Sequence, residues 1–373
     1  MIANFRKLRH NFAAVATKCA ADAGPAAPHL DLAQGPADNA MLRSGLRGGG
    51  IRPAPAQTQH QPEAPMDRRS FLAATAALAA LSALPAAPAR AAGPALPGPL
   101  VSAEWLRANL DTPGLVIVDI RGASPDDLFA AGHVPGAVWS EYAGGWRGDS
   151  LIPGTVPDAD ALAALLSALG IGNDSSVVVV PAGTGATEFG GAARVYWTLK
   201  YAGVAEAAIL DGGWNAWTAD TANPVATGVA EVQAASFTPT LDPSILATTP
   251  QVSELFAAGS ATFLDARAHD RYMGEAKSAA SKRAGHIPGA LNLDNAEFYD
   301  PEANRLKRGA ALESVVADTL SDRDAQIVTY CEAGHWSATN WFVMHELLGY
   351  TNIALYAESM PGWTADDARP VEQ

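Results

Sequence analysis

Four short motifs occur twice in this chain, in the same order and at nearly one spacing. Val116-Ile117-Val118-Asp119-Ile120-Arg121 is echoed by Phe263-Leu264-Asp265-Ala266-Arg267, and Gly132-His133-Val134-Pro135-Gly136-Ala137 by Gly285-His286-Ile287-Pro288-Gly289-Ala290. Val177 to Pro181 is echoed by Ile327 to Cys331, and Asp211 to Trp217 more faintly by Ala357 to Trp363. The offsets are 146 residues from Asp119 to Asp265, 153 from His133 to His286 and 150 from Pro181 to Cys331. Chance does not keep order and spacing together, so the chain holds two copies of one fold. The reading places them at residues 98–224 and 246–367, with a linker at 225–245.

Within each copy, short apolar strands alternate with helical stretches. Val177 to Val180 is the clearest buried strand, and Asp160 to Leu169 the clearest amphipathic helix. Such alternation predicts an α/β fold in each copy, a mostly parallel sheet with helices on both faces. In sheets of this kind ligands bind beyond the carboxyl ends of the strands.

One of those strand ends carries a cysteine. Ile327 to Tyr330 reads as a β-branched and aromatic strand, Glu332 to Trp336 as a short loop, and the chain from about Ser337 as a helix stopped by Gly349. Loop and helix-start amides converge at such a junction as hydrogen-bond donors, which favours a thiolate over a thiol. Cys331 is therefore the candidate nucleophile. The amides of Glu332, Ala333, Gly334 and Ser337 are the candidates to hold negative sulfur, with Gly334 permitting the tight turn. The other reading of Cys331 is a small buried residue at a strand end.

The region before residue 92 reads differently. Residues 1–65 are rich in Ala, Pro, Gly and Gln without a period, the composition of a disordered stretch or of an upstream extension of the reading frame with Met66 as the start. From Met66 the chain runs Asp67-Arg68-Arg69-Ser70-Phe71-Leu72 into an apolar, alanine-rich stretch ending at Ala89-Arg90-Ala91. Residues 66–91 thus resemble a twin-arginine-type export signal cleaved after Ala91, which implies a periplasmic or secreted protein. The apolar stretch is short for a membrane span, so no stable membrane insertion is expected after cleavage; an N-terminal anchor is the alternative. The chain carries 25 Lys and Arg against 39 Asp and Glu; residues 1–91 hold ten and five of them, leaving 15 and 34 and a formal charge of −19. A body so acidic suits neither nucleic acid nor anionic lipid. Of the two cysteines, Cys19 leaves with the signal, so Cys331 has no partner for an internal disulfide.

The Asp-x-Arg strand, the Gly-His-Ile-Pro-Gly-Ala turn and the strand-Cys-loop-helix, repeated with the cysteine missing from the first copy, resemble a tandem-domain rhodanese of the thiosulfate and 3-mercaptopyruvate sulfurtransferase family. The resemblance spans about residues 98–365. It implies two rhodanese-like domains, a non-catalytic first and a catalytic second, and a cysteine persulfide that carries a sulfane sulfur. The donor it implies is a small sulfur-containing anion, thiosulfate or 3-mercaptopyruvate, and the acceptor cyanide, a small thiol or a thiol protein. No cofactor and no metal are implied, and scattered histidines with one cysteine show no ligand spacing.

The same resemblance nominates Arg267 and Arg271 as the donor's oxyanion partners, a role that suits a guanidinium fork. Asp265 is read as a loop anchor, and His133 and His286, matched in both copies although only one has a cysteine, as structural. The loop Glu332-Ala333-Gly334-His335-Trp336 is neither the basic loop of thiosulfate enzymes nor the small neutral loop of mercaptopyruvate enzymes. His335 and Trp336 are candidates to contact substrate or wall the pocket. Near the end, Ala357-Glu358-Ser359 replaces the family's Asp-Gly-Ser. In the first copy Pro181 takes the cysteine's place, and the run to the helix-ending glycine is 22 residues against 18 in the second, read as a longer loop that covers one side of the pocket. Arg194 either reaches across from that copy or pairs with a local carboxylate. A Cys-based phosphatase would want arginine where Ser337 stands, and Ala182-Gly183-Thr184-Gly185 lacks the Lys-Ser/Thr of a nucleotide cradle. The alternative to a sulfurtransferase is a non-turnover periplasmic sulfur carrier or redox-sensing binding protein.

Overall fold

β-branched runs organise both halves of the folded region. The computed structural model describes residues 91–148, 150–229, 231–320 and 322–373, so residues 1–65 and all but the last residue of the stretch 66–91 read as an export signal lie outside the described residues. In the first half, β1 (Leu100–Val101), β2 (Leu115–Asp119), β3 (Ala137–Trp139), β4 (Ser176–Val180) and β5 (Glu206–Leu210) form one parallel sheet in the order β1-β5-β4-β2-β3. All four valines of β4 are buried, and their alternation splits them between two cores. Val177 and Val179 pack with Leu162 and Leu166 of α2 (Ala159–Ala168), whereas Val178 and Val180 pack with Leu106 of α1 (Ala103–Ala108) and Trp217 of α4 (Gly213–Ala219). Ser102 and Asp158 cap α1 and α2 through their side chains, each satisfying an otherwise orphaned N–H.

The second half repeats the plan. Its parallel sheet is ordered β11-β10-β6-β7, built from β6 (Thr262–Asp265), β7 (Leu291–Asn292), β10 (Ile327–Tyr330) and β11 (Ile353–Leu355). A small antiparallel pair, β8 (Tyr299–Asp300) and β9 (Arg305–Leu306), stands apart. Helices α5 (Thr249–Ala258), α6 (His269–Tyr272), α7 (Ala310–Ala317), α8 (Trp336–Trp341) and α9 (Ser359–Thr364) follow in chain order. The registers of the halves correspond: Asp119 lies beside Val180, one residue before Pro181, and Asp265 beside Tyr330, one residue before Cys331.

Helix α3 (Ala186–Ala202) joins the halves. It is buried from Phe189 to Leu199 because its own sheet covers one side and α8 the other. Tyr196 meets Phe342 edge to face, ring centroids 4.8 Å apart, a favoured aromatic geometry. The residue count that suggested a longer loop in the first half has a different origin. α3 starts five residues after Pro181, as α8 starts five after Cys331; the extra residues lie in the 17-residue α3, whereas α8 passes into a π-turn at Phe342–Leu347 and ends sooner.

The two His-Pro turns also match. His133 stacks on Phe129 and His286 on Tyr272, and each Nδ1 bonds the carbonyl of the residue it stacks on. Neither points to chemistry.

Candidate active site

Cys331 follows β10 and is fully buried. Ser337 Oγ donates to its Sγ at 3.3 Å. The N–H groups of Glu332, Ala333, His335, Trp336 and Ser337 find no acceptor among the described residues, so this turn of backbone keeps donors free for a negative ligand. Gly334 is the exception among the expected amides: its N–H donates to Ser359 Oγ at 3.2 Å, beside Cys331 N–H at 3.0 Å. Ser359 donates in turn to the Tyr356 carbonyl. One hydroxyl thereby ties the start of the loop to its midpoint, and Ser359 holds a left-handed φ of 52° there. Gly334 has φ 65°, and a Cβ there would strike Arg194 and the Ala357 carbonyl.

Arg267 does not extend into open space. Its guanidinium is 1 % exposed, forks onto the Asp265 carboxylate and donates to the Gly285 carbonyl at 2.8 Å. Arg121 makes the same fork with Asp119 and the same bond to Gly132 in the half that lacks a cysteine. A role shared by both halves is architectural: the motif ties a strand end to the His-Pro turn. Burial opposes the charge on Arg267, but Asp265 more than offsets it and holds the guanidinium above its ordinary pKa.

Arg271 is placed otherwise. Its side chain is 31 % exposed, its Nη1 meets Glu332 Oε1 at 3.2 Å, and the guanidinium lies over the Trp336 ring. Glu332 also takes Arg267 Nη1 at 3.4 Å and Ser281 Oγ at 3.2 Å, so the loop's own carboxylate occupies the space between the two arginines. The Trp336 indole N–H is buried without a partner among the described residues.

His335 faces the first half. Its Nε2 donates to the Thr187 carbonyl at 2.5 Å, which leaves Nδ1 to accept from the Tyr142 hydroxyl at 2.6 Å. Burial, ahead of the neighbouring Arg147 and Arg194, pushes its pKa down to about 4, so the ring is neutral near pH 7. Both nitrogens are engaged; His335 docks the loop rather than presenting a hydrogen bond to a ligand. Gly190 makes room for it, since a Cβ there would press on the ring at 2.9 Å.

Of the two roles open to Arg194, the structure shows the first. From α3 it reaches the carbonyls of Ala333 and Gly334 at 3.5 and 3.4 Å, and those of Gly154 and Thr155 at 3.0 and 3.3 Å. Tyr142, Ser359 and the Ser337 hydroxyl are contacts that no local spacing announced, although Ser359 stands where the family's Asp-Gly-Ser would end.

The first half's own loop is closed. Glu188 of α3 folds back so that its carboxylate accepts from Ala182 N at 2.6 Å, Gly183 N at 2.9 Å and Thr184 N at 3.4 Å. Where the second half offers free amides behind a cysteine, the first has a proline and a built-in anion.

The rhodanese-like domain family model matches twice, at residues 102–220 and 248–366. A thiosulfate sulfurtransferase of Corynebacterium glutamicum is 32% identical over 287 residues, 74% of this chain and 91% of that protein. A sulfur carrier protein of Thermus thermophilus is 30% identical over 286 residues, covering 73% and 95%. Among solved structures, a 3-mercaptopyruvate sulfotransferase of Escherichia coli is similar with a TM-score of 0.61 at 26% identity, over 70% of this chain and 98% of that one. Two matched domains, a cysteine only in the second and the free loop amides behind it agree: this chain belongs to the rhodanese family of sulfurtransferases, with two rhodanese-like domains in tandem.

Proposed function

We propose that the chain moves a sulfane sulfur from thiosulfate to cyanide or a thiol through a persulfide on Cys331. The Cys331 thiolate attacks the outer sulfur of thiosulfate; a new S–S bond forms as the old one breaks, and its electron pair leaves on sulfite. The persulfide's terminal sulfur is held by the free loop N–H groups, an electrostatic task for backbone fixed in advance. Cyanide then attacks that sulfur, leaves as thiocyanate and returns the thiolate. The observation that carries this reading is the run of unpartnered amides behind a single buried cysteine.

Arg271 and Trp336 are the groups proposed to receive the anionic end of the donor, because they retain donors at the mouth of the loop, whereas Arg267 is consumed by Asp265 and Gly285. 3-Mercaptopyruvate, named for the Escherichia coli relative, is the competing donor. Steady-state turnover with each donor and cyanide tests the assignment: thiosulfate should give the higher kcat/KM, and turnover with neither would sink it.

A carrier that accepts sulfur and hands it to one protein partner is the second reading, favoured by the full burial of Cys331 and by the carrier name of the Thermus thermophilus relative. It predicts stoichiometric persulfide by intact mass without turnover on cyanide. Export belongs to the proposal too, on the strength of Arg68-Arg69 ahead of an apolar run ending at Ala89-Arg90-Ala91. A mature N-terminus sequenced from the periplasmic fraction should begin at Ala92.

A further inference from the structure

The first domain has no nucleophile, yet it sends one charged side chain into the catalytic loop. Arg194 is 0 % exposed, and among the described residues no carboxylate lies within ion-pair distance of it. Its Nε has no partner at all among them. A buried cation without a counter-ion is costly, and removing either member of such a balance is felt strongly. The carbonyls it touches are dipoles, not charges. Burial lowers its pKa, with the nearby Arg147 acting in the same direction, but only to about 10, and negative sulfur at Cys331 acts to hold the charge, so the guanidinium is ionised near neutrality.

The peptide geometry adds a second consequence. A trans peptide points its N–H opposite to its C=O. By holding the carbonyls of Ala333 and Gly334, Arg194 therefore turns the N–H groups of Gly334 and His335 the other way. Gly334 N–H meets Ser359, the residue that also holds Cys331 N–H, and His335 N–H is left free.

We propose that Arg194 is a positioning residue for sulfur transfer: it orients the amide cradle by its grip on the loop carbonyls, and its unpaired charge is balanced by the negative sulfur on Cys331. This rests on the sulfurtransferase reading and gives the first domain a task in the chemistry of the second. Gly154 and Thr155, which take the other arm of the fork, hold the guanidinium in register from the first domain.

The test compares the full chain with Arg194→Gln and Arg194→Lys. With thiosulfate and cyanide, Arg194→Gln should lower kcat at least tenfold while the thiosulfate KM stays within threefold, because the effect falls on the charged intermediate rather than on donor binding. Without any donor, the ratio of Cys331 alkylation rates by iodoacetate and by iodoacetamide reports positive charge beside the sulfur, which packing alone does not set. That ratio should fall at least fivefold in Arg194→Gln and return to within twofold of wild type in Arg194→Lys. A folded Arg194→Gln with the wild-type ratio overturns the proposal, whatever its kcat, and so does an Arg194→Lys ratio as low as that of Arg194→Gln. If Arg194→Gln does not fold, Arg194→Lys decides alone by the same ratio. A wild-type protein that neither turns over nor forms a persulfide would defeat the sulfurtransferase reading instead, and the donor-free ratio would still judge Arg194.

Discussion

Arg271 Nη1 lies 3.2 Å from Glu332 Oε1, so the catalytic loop places its own carboxylate against the one partly open guanidinium that the expected donor contacts include. A carboxylate has the wrong sign for a loop that takes anions. In place, it is a resident anion that a charged donor has to displace or share.

Removing that charge should help anionic donors. Glu332→Gln is expected to lower the thiosulfate KM by about three- to fivefold at low salt, in keeping with the modest worth of about 1 kcal/mol or less of a partly solvated ion pair. The gain should shrink as ionic strength rises, because the screening length falls to about 10 Å at 0.1 M. A higher KM in Glu332→Gln would mean that the carboxylate orients the arginines rather than competing for them.

The two arginines should separate cleanly. Arg271→Ala is expected to raise the thiosulfate KM about tenfold or more, the worth of a charge-assisted hydrogen bond of about 1.5–3 kcal/mol, with the melting temperature little changed. Arg267→Ala should instead unfold easily. It strands the fully buried Asp265 and frees the Gly285 carbonyl, and orphaning one member of a buried pair costs about 3–5 kcal/mol. Thermal melts of both variants beside their kinetics check the contrast, and the reverse pattern would return Arg267 to the donor site.

Cys331→Ser is expected to abolish turnover and persulfide formation while melting near the wild-type temperature, since the smaller oxygen still accepts from Ser337 but cannot form the S–S bond. Turnover even a tenth of wild type would remove Cys331 from the mechanism.

His335 gives a prediction about acid. Its pKa in the fold is lowered from 6.5 to about 4, so the unfolded chain binds the extra proton first and stability is present above pH 6.5 and lost as pH falls toward 4. Each pH unit between the two values is worth about 1.4 kcal/mol, so the loss reaches up to about 3 kcal/mol. In urea melts, His335→Gln should flatten this slope between pH 6.5 and 4. Because the ring stays neutral above that range, the variant should leave the shape of the rate profile from pH 6 to 8 unchanged; a new inflection there would give His335 a part in the chemistry.

The repeat made much of the fold legible, because β-strand pattern and turn signals are local and each appeared twice. Cys331 was legible for the same reason: a strand, a loop and a helix are read within a few residues. What distinguished Arg267 from Arg271 was not. Both are arginines four residues apart, and only burial against Asp265 and Gly285 separates the anchor from the open group. The role of Ser359 escaped for another reason, which also left the reach of Arg194 as one of two open roles. Ser359 is 28 residues from Cys331 and Arg194 is 139 from Ala333, and such contacts follow from how the sheets stack rather than from any spacing along the chain. The four extra residues of the first half were visible as a count but not as a helix, since a loop and a helical turn add the same length to a sequence.

Glu188 offers a way to ask whether the first domain is still a rhodanese cradle under its plug. Its carboxylate takes three successive loop N–H groups, Ala182, Gly183 and Thr184, at the start of a 17-residue helix, the arrangement that elsewhere receives an anion. The loop borders a pocket of about 510 Å³ that also reaches Tyr142 and His335, so a small ion has a route to it. Glu188→Ala should destabilise the chain by about 1–3 kcal/mol through unpaired donors. Added sulfate should then restore stability to the variant, by up to about 2.7 kcal/mol at a hundredfold excess over its Kd, and raise the wild type's melting temperature far less. Performing both melts in a Cys331→Ser background excludes sulfur chemistry, and comparing Glu188→Ala with its parent at each sulfate concentration cancels sulfate held by the catalytic loop's own amides. No turnover should appear in the first domain, because Pro181 supplies no nucleophile. Equal sulfate stabilisation with and without Glu188 would mean that the carboxylate is only a helix cap and that the cradle was not retained.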